Sequence, residues 1–325
     1  MKKVFKVILI ILLVIFTGVA GIAFYVKTAL PNVGAAPNIK VETTPERVAR
    51  GKYLATHVAV CMDCHSQRDW SLYAGPVKEG TFGGGGEKFG KELGFPGTLY
   101  SKNITPYALR NWTDGEIFRT ITTGENKDGK ALFPLMGYLG YSKMDKEDVY
   151  SIIAYLRTLP AIKNDVPERA LDFPVNLIVN TIPAKATLSP EPDSNNAIAY
   201  GQYLVTIANC VECHSKVDKG KRIAGTEFGG GRPFNFPNGT VVTSVNITPD
   251  KETGIGGWSE EMFIQRFKQF SDTVYHTQQL SPNDFNTSMP WLMYSGMTKK
   301  DLAAIYAYLQ TVKPVSNQVK KFTRK

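Results

Sequence analysis

Two stretches decide the reading of this chain: GKYLATHVAVCMDCH at residues 51–65 and GQYLVTIANCVECH at residues 201–214. Each ends in Cys-x-x-Cys-His. The pentads Cys61-Met62-Asp63-Cys64-His65 and Cys210-Val211-Glu212-Cys213-His214 take all four cysteines and two of the four histidines of the 325-residue chain. One helical turn sets two sulfurs side by side with an imidazole directly after them, which is the attachment signature of c-type haem. The sulfurs form thioethers with the two vinyl groups of one haem. His65 or His214 then reaches the iron as proximal ligand. Two disulfides would need no histidine after each pair, and zinc usually draws its ligands from two spaced halves.

The chain repeats itself outward from these pentads. Gly80-Thr81, Phe82 and Gly83–Gly86 follow the first; Gly225-Thr226, Phe228 and Gly229–Gly231 follow the second. Asn103-Ile104-Thr105-Pro106 matches Asn246-Ile247-Thr248-Pro249, and Trp112 matches Trp258. AYLRTLP closes one unit at Pro160, and AYLQTVKP closes the other at Pro314. The glycine runs lack the Gly-Lys-Ser/Thr of a phosphate loop and read as tight turns near a haem edge. Apolar spacing predicts helices over 46–57, 114–122 and 146–158 in the first unit, and over 197–208, 259–270 and 299–311 in the second. The expected fold class is all-α, with two tandem units over 46–165 and 196–318.

Residues 1–27 read as a membrane anchor. Val7–Val26 is a run of 20 residues without a charge, and at ~1.5 Å per residue a helix of that length spans the ~30 Å of a bilayer core. A cleaved signal peptide has an apolar region of only ~7–15 residues. Lys2, Lys3 and Lys6 put the amino terminus on the cytoplasmic side, so the rest lies outside the cytoplasm. Residues 28–45, with Pro31, Pro37 and Pro45, read as a tether. Residues 166–195 read as a proline-rich linker whose apolar Leu177–Val179 docks on a surface, and 319–325 as a basic tail. Hydrophobic residues make up 43% and charged residues 21% of the chain, which is ordinary globular usage. The net charge of +9 comes without a dense basic block outside Lys320, Lys321, Arg324 and Lys325, so nucleic acid is not an expected partner.

The open axial position of each iron decides between electron transfer and chemistry on a small molecule. Two methionine pairs are candidates. Met136 and Met289 each precede a matched aspartate, Asp148 or Asp301, by 12 residues; Met144 and Met297 follow 8 residues later. Met144 and Met297 sit just before a helix start, where Asp145 or Thr298 with Asp148 or Asp301 resembles a capping box. They have hydrophobic-staple roles against Val149 and Leu302. Met136 and Met289 lie in loops and are the expected distal ligands. A soft thioether favours reduced iron and raises its potential. His57 is a rival ligand, but it lies eight residues before His65, on the same local segment as the proximal ligand.

With Cys61, Cys64, His65, Met136 and YLRTLP, then Cys210, Cys213, His214, Met289 and YLQTVKP, the chain resembles a tandem class I cytochrome c. The second unit, with NITPDKETGIGGW at 246–258 and SMPWLMYSGM at 288–297, is similar to cytochrome subunits of membrane-bound alcohol, aldehyde and gluconate dehydrogenases. The resemblance implies two covalently bound haems c and electron transfer rather than catalysis. It also implies redox partners: a dehydrogenase subunit, an oxidase or another cytochrome. Such subunits usually carry three haems, whereas this chain has two attachment motifs, and Gly137 stands where proline usually follows the ligand methionine. The alternative is a di-haem peroxidase-type enzyme with one open axial site; a ligand-binding sensor is a third reading.

Overall fold

The computed structural model describes residues 2–271, 275–281 and 283–324. Helix α1 (Lys2–Ala29) has no buried residue and touches the rest of the chain at its C-terminal end, and it is long and apolar enough to cross a membrane. Two matched helical bundles follow. The first holds α2 (Pro45–Tyr53), α3 (Asp114–Thr123) and α4 (Lys146–Thr158). The second holds α5 (Ala197–Ile207), α6 (Glu260–Lys268) and α7 (Lys299–Leu309). In each bundle the first and last helices cross in close contact, α2 on α4 and α5 on α7.

The sequence explains these elements locally. The Thr44 hydroxyl caps α2 by accepting from Arg47 N–H, with Pro45 in the first turn, where a missing N–H costs nothing. Thr113 and Glu116 form a complete capping box on α3. Val149, Ile152, Ile153 and Leu156 of α4 are buried, as are Leu302, Ile305 and Leu309 of α7. These stripes join one hydrophobic core that runs through both bundles.

The fold is predominantly helical rather than purely so. Lys88–Phe89, Gly97–Tyr100 and Ala170–Leu171 form a small antiparallel sheet. Pro233–Asn235, Val241–Thr243 and Phe322–Thr323 form its counterpart. The strands are two to four residues long, too short to register as period-two alternation. They form because the chain returns after each last helix and pairs with the segment leading into Asn103 or Asn246. The returning partners come from the expected linker and from the basic tail.

The segment read as a tether is also docked. Val33 and Val41 are buried; Val41 N–H donates to Asp114 at 2.8 Å and Val33 N–H to Glu125 at 3.2 Å. These bonds hold it against α3 and against Glu125 just beyond that helix.

Two local differences from expectation have a physical cause. Gly51 lies ten residues before Cys61, whereas Gly201 lies nine before Cys210. The extra residue is absorbed by a π-helical turn over Leu54–Val58, the usual way a helix accommodates one inserted residue. The residue before each motif, Val60 or Asn209, is then in the left-handed region. The expected capping boxes on α4 and α7 are also closed differently. Asp145 N–H donates to Tyr203 Oη at 3.1 Å, and Tyr203 donates to Asp148 at 2.5 Å. Thr298 N–H donates to Tyr53 Oη at 3.1 Å, and Tyr53 donates to Asp301. Each box is relayed through a tyrosine of the other bundle. Tyr203→Phe removes both bonds and leaves Asp148 with one partner fewer, so a loss of about 1–3 kcal/mol is expected, read as a lower denaturant midpoint. Tyr53→Phe is expected to match it.

Candidate haem-attachment site

Each pentad opens on one helical turn, Cys61–Cys64 or Cys210–Cys213. His65 and His214 follow directly. The Nδ1 of His65 is 2.6 Å from Lys102 O, and that of His214 is 2.8 Å from Val245 O. A carbonyl only accepts, so each Nδ1 carries the proton and Nε2 is left with its lone pair. Burial pushes both imidazoles below their ordinary value, against the opposing backbone hydrogen bond. The neutral, ligand-competent form is therefore the one present at neutral pH.

The repeated Asn-Ile-Thr-Pro motif places those carbonyls. Asn103 is buried; its Oδ1 accepts from Thr105 N–H at 2.9 Å and from the Thr105 hydroxyl at 2.7 Å, while its amide donates to Ile162 O at 2.8 Å. Asn246 makes the same turn with Thr248 and donates to Val315 O at 2.6 Å. The acceptors Lys102 and Val245 are the residues just before these asparagines. Sequence reasoning missed them, although a repeated motif with no chemistry of its own was the available signal. The glycine runs complete the frame. Gly85 N–H donates to His65 O and Gly230 N–H to His214 O, both at 2.8 Å. Gly85 and Gly230 have φ of +67° and +71°, and a Cβ on either would fall within 2.6 Å of the backbone leading into Asn103 or Asn246. No other residue fits there.

None of the four cysteines is in a disulfide. Among the described residues no group of three or more His, Cys, Asp or Glu gathers to hold a metal ion, so a four-ligand zinc site is not assembled. Burial pushes the thiols of Cys61, Cys64 and Cys210 up to about 12. A small apolar cavity lies beside Cys61, lined by Ala59, Ile121, Met136, Tyr141 and Ile152. It brings Met136 and Cys61 to one apolar space. Met136 and Met289 are both half-buried and lie against the core. Met144 and Met297 are fully buried core residues. His57 is held by the second bundle: its Nδ1 is 2.8 Å from Met293 O, and Gly296 lies against its ring. The residues present fit covalently attached haem.

The two sites adjoin. Tyr141 donates to Ala59 O at 2.9 Å and Tyr294 to Ala208 O at 3.1 Å. Burial raises both phenols well above their ordinary value. Cys61 and Cys64 add to this for Tyr141; Cys210, Cys213, Tyr141 and Asp63 add to it for Tyr294. Cys213 likewise adds to the rise at Cys64, behind burial and Asp63. The motifs are thus within electrostatic reach across the interface between the bundles. Asn209 contributes to that interface, lying against Gly137 and Gly140 of the first bundle.

Comparison with known proteins gives the same direction. Residues 198–313 match the cytochrome c family. The chain is 27% identical over 303 residues to the fructose dehydrogenase cytochrome subunit of Gluconobacter japonicus, covering 86% of this chain and 56% of that one. It is 27% identical over 283 residues to the cytochrome c subunit of alcohol dehydrogenase (quinone) of Gluconacetobacter polyoxogenes, covering 82% and 56%. A diheme cytochrome c-type protein of Cereibacter sphaeroides is 26% identical over 247 residues, covering 69% of this chain and 78% of its own length. The chain thus spans little more than half the length of the first two relatives.

Proposed function

From a chain that carries a cytochrome c domain over residues 198–313, we propose a membrane-tethered di-haem electron carrier, built as two cytochrome c-like units over 46–165 and 196–318. Cys61, Cys64 and His65 hold one haem with Met136 as distal ligand; Cys210, Cys213 and His214 hold the other with Met289. When bound, each haem supplies a one-electron couple at iron. The observation that carries this reading is the repeated pair of histidines, His214 buried and His65 half-buried, each with Nδ1 tied to a backbone carbonyl and Nε2 left as the lone-pair nitrogen. That second bond fixes the tautomer and ring orientation a ligand needs. The thioether ligands close the remaining iron faces, so no position is left for a substrate. Lys2, Lys3 and Lys6 orient α1 with both units outside the cytoplasm. The donor is a dehydrogenase subunit or quinol-side protein, and the acceptor a respiratory oxidase or cytochrome.

The test is a redox titration of the full-length protein from a haem-maturing host, followed by absorption and EPR. Two covalently retained haems and two low-spin signals are expected. Met136→Leu and Met289→Leu should each lower one potential and admit carbon monoxide at one iron. Met144→Leu and Met297→Leu conserve volume, should cost less than about 1.5 kcal/mol, and should leave both potentials unchanged. The reverse pattern would sink the ligand assignment. A resting high-spin haem with peroxide turnover would favour the peroxidase-type reading instead.

A further inference from the structure

We propose that the linker turn over residues 172–182 is a second membrane contact, seated in the lipid interface beside α1. The inference rests on α1 being a membrane anchor. The base of the turn is pinned to the first bundle. Ala170–Leu171 pairs with Gly97–Thr98, Asp172 N–H donates to Pro96 O at 3.0 Å, and Asp172 pairs with Lys91 at 2.8 Å. Val179 is fully buried and anchors the middle of the turn. Its apex reaches α1: the short helix Val175–Ile178 and the turn Val179–Thr181 both contact that helix, and Asn180 donates to Val26 O at 3.5 Å. Ala23 and Val26, one face of α1, are half-covered there while their neighbours on the helix are exposed.

The level of this contact identifies the occupant. Val26 ends the 20-residue charge-free run, so it lies at the outer edge of the ~30 Å hydrocarbon core. Side chains beside it are at interface depth. Phe173 is 78% exposed, Ile178 51% and Tyr25, on α1 beside Val26 in sequence, 58%. These apolar groups continue the bare apolar surface of α1 at the depth where aromatic and aliphatic side chains partition into lipid. A bilayer that covers α1 also meets them. Together with the docked segment through Val33 and Val41, this gives the body two fixed points on the membrane and sets which face of each unit a partner meets.

Site-directed spin labels test it. In the full-length haem-loaded protein the native cysteines are consumed as thioethers, so Phe173→Cys and Ile178→Cys are labelled selectively. The protein is placed in phosphatidylethanolamine–phosphatidylglycerol vesicles. Accessibility to oxygen is compared with that to a polar nickel chelate. Leu13→Cys marks the bilayer interior, and Lys251→Cys, at an exposed position, marks water. The expected ratio at 173 and 178 is several-fold above that at 251 and below that at 13. Ratios at 173 and 178 equal to 251, with 13 reading as bilayer, overturn the second contact alone. A water-like ratio at 13 overturns the anchor reading and this inference with it.

Discussion

Gly51→Val or Gly201→Val should prevent the affected bundle from forming and retaining its haem. A Cβ at Gly51 would sit 1.8 Å from Ser151 O, and one at Gly201 would sit 1.9 Å from Ala304 O. In both cases the obstacle is backbone of the crossing helix, which cannot turn away as a side chain can. Relief requires α2 to move off α4, or α5 off α7. That separation opens the stripes of Ile152, Ile153, Leu302 and Ile305. The expected cost is at or above about 3 kcal/mol, the upper end of ordinary overpacking. Because α2 and α5 lead into the pentads, the proposed two-haem carrier should lose one of its covalent haems in each variant. Two retained haems with an unchanged melting temperature would refute the close crossing. The alanine variants should shift in the same direction by less.

The second large effect is expected at Arg68. This guanidinium is buried with Asp63, at 2.6 Å, inside the first attachment motif. It also donates to Gly75 O and Ala74 O, both at 2.7 Å, and stacks over Trp70 at 4.1 Å. Arg68→Met strands a buried carboxylate and two carbonyls, a loss of about 3–5 kcal/mol. It also loosens the 70–75 loop, which holds the second bundle through Ala74 N–H to Asn286 at 2.9 Å and Tyr73 N–H to Gln278 O at 2.9 Å. Adding Asp63→Leu should recover part of the loss. If the double variant is no more stable than the single, the ion pair is not the cause. The matched pair in the second unit, Arg222 with Glu212 at 2.8 Å, is exposed on both sides. Arg222→Met should therefore cost no more than about 1 kcal/mol.

The contrast shows where the sequence stops being legible. Asp63 and Glu212 occupy the same place in their pentads, with a basic partner five residues on at Arg68 and ten residues on at Arg222. That spacing does not say which pair is buried and which is solvated. Burial depends on chain of the second unit around Gln278 and Asn286 folding across the first, with Asn286 donating to Trp70 O at 3.2 Å. Helices, by contrast, were readable because their apolar spacing and caps are short-range. The predicted first helix, 46–57, nevertheless missed the π-turn, since one inserted residue leaves the apolar pattern almost intact. The small strands were missed because two-residue pairing carries no periodic signal.

What can be read straight from the chain is the chemistry available: two Cys-x-x-Cys-His turns, a repeated frame around each, a charge-free run long enough for a bilayer, and two methionine pairs. These can be read along the chain without knowing which surfaces meet. Folding in three dimensions was needed to show that Lys102 and Val245 offer carbonyls to the histidines, and that Met136 shares a cavity with Cys61. It was needed equally to show that Tyr53 and Tyr203 cap each other's partner helices, across 248 and 55 positions of chain. Such contacts depend on which surfaces the closed core brings together, and one hydroxyl or one carbonyl in a sequence does not announce its partner.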